Sequence, residues 1–216
     1  MAPRTPLLFL AGAGLPAWIW DGVRDSLGGG TTTVPAGLGV DLRSAAVAAF
    51  ELAPEGRFGI VAHGAAGVIA AEMARLDPES VAAIVGIAAV FPRQGRSYLD
   101  TVPFPASVSA KRAVKGGGVH PPLAKYDGGL DRATTARLRA ETVNVAEGVY
   151  RDPLERLVLP ERRAYVFTTA DPVVPPELQR GFARVLDAAT DTVGGGHLPM
   201  LEQPRQLAGV IERLLA

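Results

Sequence analysis

Apolar runs of strand length, several of them ending in a tight turn of small residues, alternate along this chain with stretches of helical spacing, and that alternation narrows its fold more than any other feature. The runs are Leu7 to Leu10, Phe58 to Ala62, Val81 to Ala89 and Tyr165 to Thr168. Helices are expected over Ala17 to Leu27, Ser44 to Leu52, Gly67 to Leu76, Pro176 to Leu186 and Pro204 to Leu215. The last of these places Leu207, Val210, Ile211 and Leu214 on one face. Strands alternating with helices predict an α/β fold, a mostly parallel sheet covered on both faces. Gly67 to Ala74 is apolar nearly all round, which predicts the most buried helix, pressed between sheet and neighbours and ended at Asp77-Pro78.

From Pro92 to about Pro160 the alternation stops. Pro103, Pro105, Pro121 and Pro122, the run Gly116-Gly117-Gly118 and a polar helical stretch from Asp131 to Val149 predict an insertion lying over the sheet as a lid. A chain of 216 residues without a convincing linker is expected to form one domain, residues 1–216, with 92–160 as that insertion. Its 22 basic and 22 acidic residues cancel, so neither nucleic acid nor an anionic membrane is an expected partner. Cysteine is absent, which removes disulfides, thiolate metal sites and cysteine nucleophiles together. The apolar run after Pro6 is too short for a signal-peptide core or a membrane span, and a cytoplasmic protein is expected.

In an open α/β sheet, ligands bind beyond the carboxyl ends of the strands. Three such places carry chemistry. Ala11-Gly12-Ala13-Gly14 follows the first strand, and its glycines let backbone N–H groups face a ligand. Ala62-His63-Gly64-Ala65-Ala66-Gly67 follows Phe58 to Val61 and opens the most apolar helix, the strand-turn-helix order of a nucleophile elbow, but Gly64 at its centre has no side chain. Asp171 and His197 each follow an expected strand end. A carboxylate that orients an imidazole leaves the second ring nitrogen free as a base, although either residue alone would serve equally as a turn or cap.

Taken together, these segments resemble the α/β-hydrolase superfamily, with small bacterial esterases, hydroxynitrile lyases and cofactor-free oxygenase-like members as the nearest subgroup. The resemblance covers roughly residues 7 to 91 and 162 to 215. The family's first loop usually reads His-Gly-x-Gly; Ala11-Gly12-Ala13-Gly14-Leu15-Pro16-Ala17-Trp18 keeps the glycines and the tryptophan. Its elbow usually reads Gly-His-Ser-x-Gly-Gly, and here Gly64 stands where the serine would be. Asp171-Pro172-Val173-Val174-Pro175 resembles the acid loop. Gly196-His197-Leu198-Pro199-Met200-Leu201-Glu202-Gln203-Pro204 resembles the catalytic-histidine segment closely, and the order elbow, acid, histidine is the superfamily's own. The resemblance implies backbone oxyanion donors at Ala13 and Ala65, and a vacant nucleophile position at Gly64.

Without a hydroxyl at residue 64 no acyl-enzyme can form there. A His197–Asp171 base and an oxyanion hole still suffice for proton abstraction beside a carbonyl, so the leading expectation is a non-hydrolytic lyase, cyclase or isomerase acting on a small carbonyl or ester-like compound. A hydrolase in which His197 activates water directly, and an idle pseudoenzyme that binds a small ligand or a partner, are the alternatives. His63 and His120 are possible pocket residues. Tyr98, Lys111, Tyr126 and Tyr150 are candidates to line the lid, though an exposed helix or loop carries such residues equally well. The scattered histidines offer no metal-ligand spacing, and no cofactor or metal is expected.

Overall fold

The computed structural model describes every residue except 1–4, 13, 29, 36, 104–110, 112–113, 115–120 and 127–128. Six strands, β1 (Leu7–Leu10), β2 (Thr31–Val34), β3 (Phe58–His63), β4 (Val81–Ile87), β5 (Arg162–Thr168) and β6 (Ala189–Val193), form an all-parallel sheet in the order β2-β1-β3-β4-β5-β6. The helices are α1 (Asp21–Leu27), α2 (Leu42–Glu51), α3 (Ala66–Leu76), α4 (Arg132–Glu141), α5 (Glu147–Arg151), α6 (Pro176–Leu186), α7 (Pro199–Glu202) and α8 (Pro204–Leu215). This is the helix-flanked parallel sheet that the alternation of apolar runs predicts.

Successive side chains of a strand point to opposite faces, and β1 shows what that does. Leu8 and Leu10 join Ile60, Ala62, Met73 and Phe182 in a core shared with α2, α3 and α6. Leu7 and Phe9 join Val61, Val85, Val23 and Ile211 in a second core shared with α1 and α8. Both faces of the central strands are dry, and each fully buried aliphatic side chain contributes roughly 1.5–3 kcal/mol. Helix α3 is the buried helix the sequence predicts, with eight of its eleven residues buried. Its one buried charge, Glu72, is held by Arg75 Nε and Nη2 at 2.8 and 2.6 Å.

Two expected helices differ in detail. The first begins as a 3-10 turn, Ala17–Trp20, before α1. The polar stretch from Asp131 to Val149 is two helices, α4 and α5. The Thr142 hydroxyl donates back to the Leu138 carbonyl at 2.6 Å, and the Val143 N–H leaves the helix to donate to the Gly14 carbonyl at 2.9 Å. That second bond ties the β4–β5 connection to the first loop, across the carboxyl ends of the strands. The described part of the connection adds no strand to the sheet. Tyr126 and Leu138 pack into the α1–α8 core, and Val145, Val149 and Tyr150 pack on Ala45, Ala65 and Leu99. Among the described residues no helix is long and apolar enough to cross a membrane.

Candidate active site

The carboxyl ends of β5 and β6 bring Asp171 and His197 together although 26 positions separate them: His197 Nδ1 lies 2.7 Å from Asp171 Oδ2. Asp171 is fastened from every side. Its Oδ1 accepts from the backbone N–H groups of Val173 and Val174 at 2.7 and 2.9 Å, and its Oδ2 also accepts from the Thr168 hydroxyl at 3.2 Å. Burial works to raise the pKa of this carboxyl, but the hydrogen bond and charge of His197, together with the two N–H donors, outweigh it and hold it below the usual carboxylate range. A carboxylate at that place accepts Nδ1–H, which fixes the tautomer and leaves Nε2 with its lone pair. The histidine loop is fastened separately: the Gly196 N–H donates to Glu202 Oε2 and Gln203 Nε2 donates to the Gly194 carbonyl, each at 2.9 Å.

Opposite Nε2 stands Gly64, at the sharp turn between β3 and α3. Its φ of +53° lies in the left-handed region, where a side chain is strained. The turn is set by its neighbours, since the Gly64 N–H donates to the Ile87 carbonyl at 3.3 Å and the Gly64 carbonyl accepts from Val90 at 2.8 Å. A Cβ at this position would lie 3.4 Å from His197 Nε2 and meet no backbone. Space therefore exists beside the imidazole for a small group. Gly12, in the first loop, differs: a Cβ there would sit 2.2 Å from the His63 carbonyl oxygen and 3.1 Å from the Ala65 nitrogen, so only glycine lets the loop come this close. The Ala65 N–H, at the head of α3, donates to no other described residue, and the positive end of the helix lies there. Ala13, the second expected donor, lies outside the described residues, as does His120.

His63 is fully buried, and its Nε2 donates to the His197 carbonyl at 2.8 Å, joining the elbow strand to the histidine loop. Burial, reinforced by the neighbouring His197, holds its pKa down at about 3, so the ring is neutral. Its ring lies 4.5 Å from that of His197, centroid to centroid. On another side Tyr126 stacks on His197 at 5.1 Å with an interplanar angle of 28°. The His197 side chain is 2% exposed.

Gln179 has a part that the sequence does not announce. From α6, fully buried, it accepts from the Thr168 N–H at 2.9 Å and donates to the Thr168 hydroxyl at 2.8 Å and to the Val174 carbonyl at 2.7 Å. It thereby holds both the hydroxyl and the turn that support Asp171. A polar residue on the apolar face of an otherwise amphipathic helix is the one trace it leaves in the sequence. Tyr126 leaves less, being an aromatic residue amid glycine and proline. Lys111, one of the candidates to line the lid, is exposed.

The sequence description of the alpha/beta hydrolase family matches residues 7–210. No curated protein matches the chain. Among solved structures, an extracellular α/β-hydrolase from a Paenibacillus species, described as sharing structural and functional homology with tobacco salicylic acid binding protein 2, superposes with a TM-score of 0.81 at 15% identity, covering 98% of this chain and 99% of that one. Polyneuridine aldehyde esterase gives 0.76 at 17% identity over 99% and 100% of the two chains. A pyrethroid hydrolase from Sphingobium faniae gives 0.73 at 18% identity over 98% and 97%. At such identities the superpositions speak for the fold, and the match over most of the sequence speaks for descent: the chain belongs to the α/β-hydrolase family.

Proposed function

We propose that this protein is a non-hydrolytic enzyme that removes a proton beside the carbonyl of a small molecule, with His197 as general base, Asp171 as its orienter, and backbone N–H groups, Ala65 among them, receiving the charge that develops on the carbonyl oxygen. Gly64 stands at the place of the family's nucleophile, and the substrate carbon occupies the space that a hydroxyl would fill. The observation that carries this reading is the dyad itself. Asp171 is held by four hydrogen bonds, from His197, Thr168, Val173 and Val174, and His197 Nε2 faces the Gly64 backbone with room between them for one small group. A general base positioned in this way accelerates proton transfer by about 10²–10⁴, and oxyanion donors add to that. The β4–β5 connection is the lid in this reading.

The test is solvent exchange. In D₂O, native protein is expected to exchange the α-protons of a panel of small ketones, followed by proton NMR, while chromogenic esters stay intact and a fluorophosphonate leaves the protein unlabelled. His197→Ala should abolish the exchange. Gly64→Ser should gain fluorophosphonate labelling if dyad and donors are aligned. Absence of exchange across the panel, with labelling gained by the serine variant, overturns proton abstraction as the native reaction.

A second reading has support of its own: the esterase and hydrolase neighbours share this fold, and the space at Gly64 suits a water that His197 would activate directly. Ester cleavage by native protein that is lost in His197→Ala, without labelling and without a burst, would select it. Binding of ligands without any turnover would select the idle-site alternative.

A further inference from the structure

Three tyrosines of the β4–β5 connection, from separate stretches of sequence, lie within electrostatic reach of one another, and one of them touches the dyad. Tyr98 lies in the 3-10 turn Tyr98–Thr101, Tyr126 follows the turn Leu123–Lys125, and Tyr150 lies in α5. Tyr126 stacks on His197, and Tyr98 meets Tyr150 edge to face at 4.8 Å. Tyr150 also lines a cavity of about 10 Å³ beside Ala65, Ala66, Ile69 and Val149. Tyr126 and Tyr150 are each 2% exposed, and the hydroxyl of neither has a partner among the described residues. One buried phenol without a partner is already unfavourable. Two of them near each other, one against a candidate base, are more economically explained as groups that meet a ligand.

Their chemistry says which ligand. Burial, above all, pushes the hydroxyl of Tyr98 up to about 12 and raises those of Tyr126 and Tyr150 well above the usual phenol range, so all three are neutral and able both to donate and to accept. Apart from Tyr150, the described residues that line the cavity are apolar, with no lysine or arginine among them, and Tyr126 lies outside it with its ring on His197. An anionic group would lie there unpaired, at high cost. A neutral oxygen function would be matched.

We propose that Tyr126 and Tyr150 form the polar end of the substrate chamber and hold a neutral oxygen group, a hydroxyl or a second carbonyl, of an uncharged ketone or aldehyde whose reacting carbonyl lies at Ala65. The inference rests on the proton-abstraction reading and narrows its substrate class. A cavity of this size holds about one water, so the chamber widens as the ligand enters.

Calorimetric binding of three probes to the native protein and to Tyr126→Phe, Tyr150→Phe and the double variant tests the assignment. 4-Hydroxyacetophenone is expected to bind about tenfold more tightly than acetophenone, one well-made hydrogen bond. 4-Acetylbenzoate is expected to bind weakest. The preference should fall to within about twofold in the double variant, because the matched hydroxyls are gone. Melting temperatures should hold or rise, since each variant removes a hydroxyl that has no partner. The proposal is overturned if native protein binds neither ketone or fails to distinguish them, if the preference survives the double replacement, or if the variants melt earlier with affinities unchanged. Binding requires no turnover, so a hydroxyl preference without α-proton exchange would sink the base reading and keep the subsite, and the converse would do the reverse.

Discussion

Around Asp171 and His197 polar side chains do most of the fastening, whereas the turn at Gly64 is held by backbone hydrogen bonds, to Ile87 and Val90. On the first side, Gln179, Thr168, Glu202 and Gln203 hold the two residues and their loops by hydrogen bonds between 2.7 and 3.2 Å. On the second, Gly12, Gly64, Ala65 and Ala66 bring loop, strand and helix within backbone contact. Under the proposed function, the difference teaches how one site would keep a base rigid and still admit a substrate: polar side chains fix the group that must not move, and small residues clear the room in which something else must fit.

The largest way to break that comparison is at the dyad. Asp171→Asn keeps the shape but reverses the hydrogen-bond preference at His197 Nδ1; the α-proton exchange rate should fall by about 10²–10⁴ with ligand affinity little changed, and an unchanged rate would mean the carboxylate does not orient the base. On the backbone side, the two glycines should separate. Gly12→Ala must displace the His63 carbonyl and should lose about 3 kcal/mol in chemical denaturation, whereas Gly64→Ala has room and should lose about 1 kcal/mol from its left-handed φ alone. Equal losses would show that the elbow is as tightly packed as the first loop.

Gln179→Leu probes the side-chain scaffold from a distance. It strands the Thr168 N–H and the Val174 carbonyl and should cost about 2 kcal/mol of stability; a slower exchange reaction at unchanged substrate affinity would mark it as a residue that positions Asp171. The last prediction, confined to acid, concerns the join between the two sides. With a folded pKa of about 3 against 6.5 for the free side chain, His63 takes up a proton more readily when the chain is unfolded. Its contribution to stability is therefore complete above pH 6.5 and declines as pH falls toward 3, at about 1.4 kcal/mol per pH unit. Unfolding free energies followed across that window should flatten in His63→Gln, and a slope identical to that of the native protein would place the titration elsewhere.

Legibility in the sequence followed burial. The strands β1, β3, β4 and β5 are apolar because they lie inside, and their runs could be read directly. The edge strands were harder. Thr31–Val34 gives no apolar run because three of its four residues are partly exposed, and it was not expected as a strand; Ala189–Val193 buries only Val193, and only its end was anticipated. At the site, Asp171, His197 and the turn at Gly64 were readable because each sits at a strand end with a local pattern. Gln179 and Tyr126 were not readable as neighbours of the dyad. Their roles come from contacts across the fold, to Thr168 in one case and to His197 in the other, and no spacing in the sequence records a contact of that kind.

The stacking of Tyr126 on an imidazole that is almost wholly covered sets a clock. In the proposed reaction the connection that carries Tyr126 must open before a molecule reaches Nε2, its ring closing again over the bound ligand, and that opening has its own first-order rate. For substrates reactive enough, turnover would converge on one ceiling whatever their intrinsic acidity, would slow as solvent viscosity rises, and would show no isotope effect from the carbon–hydrogen bond being broken.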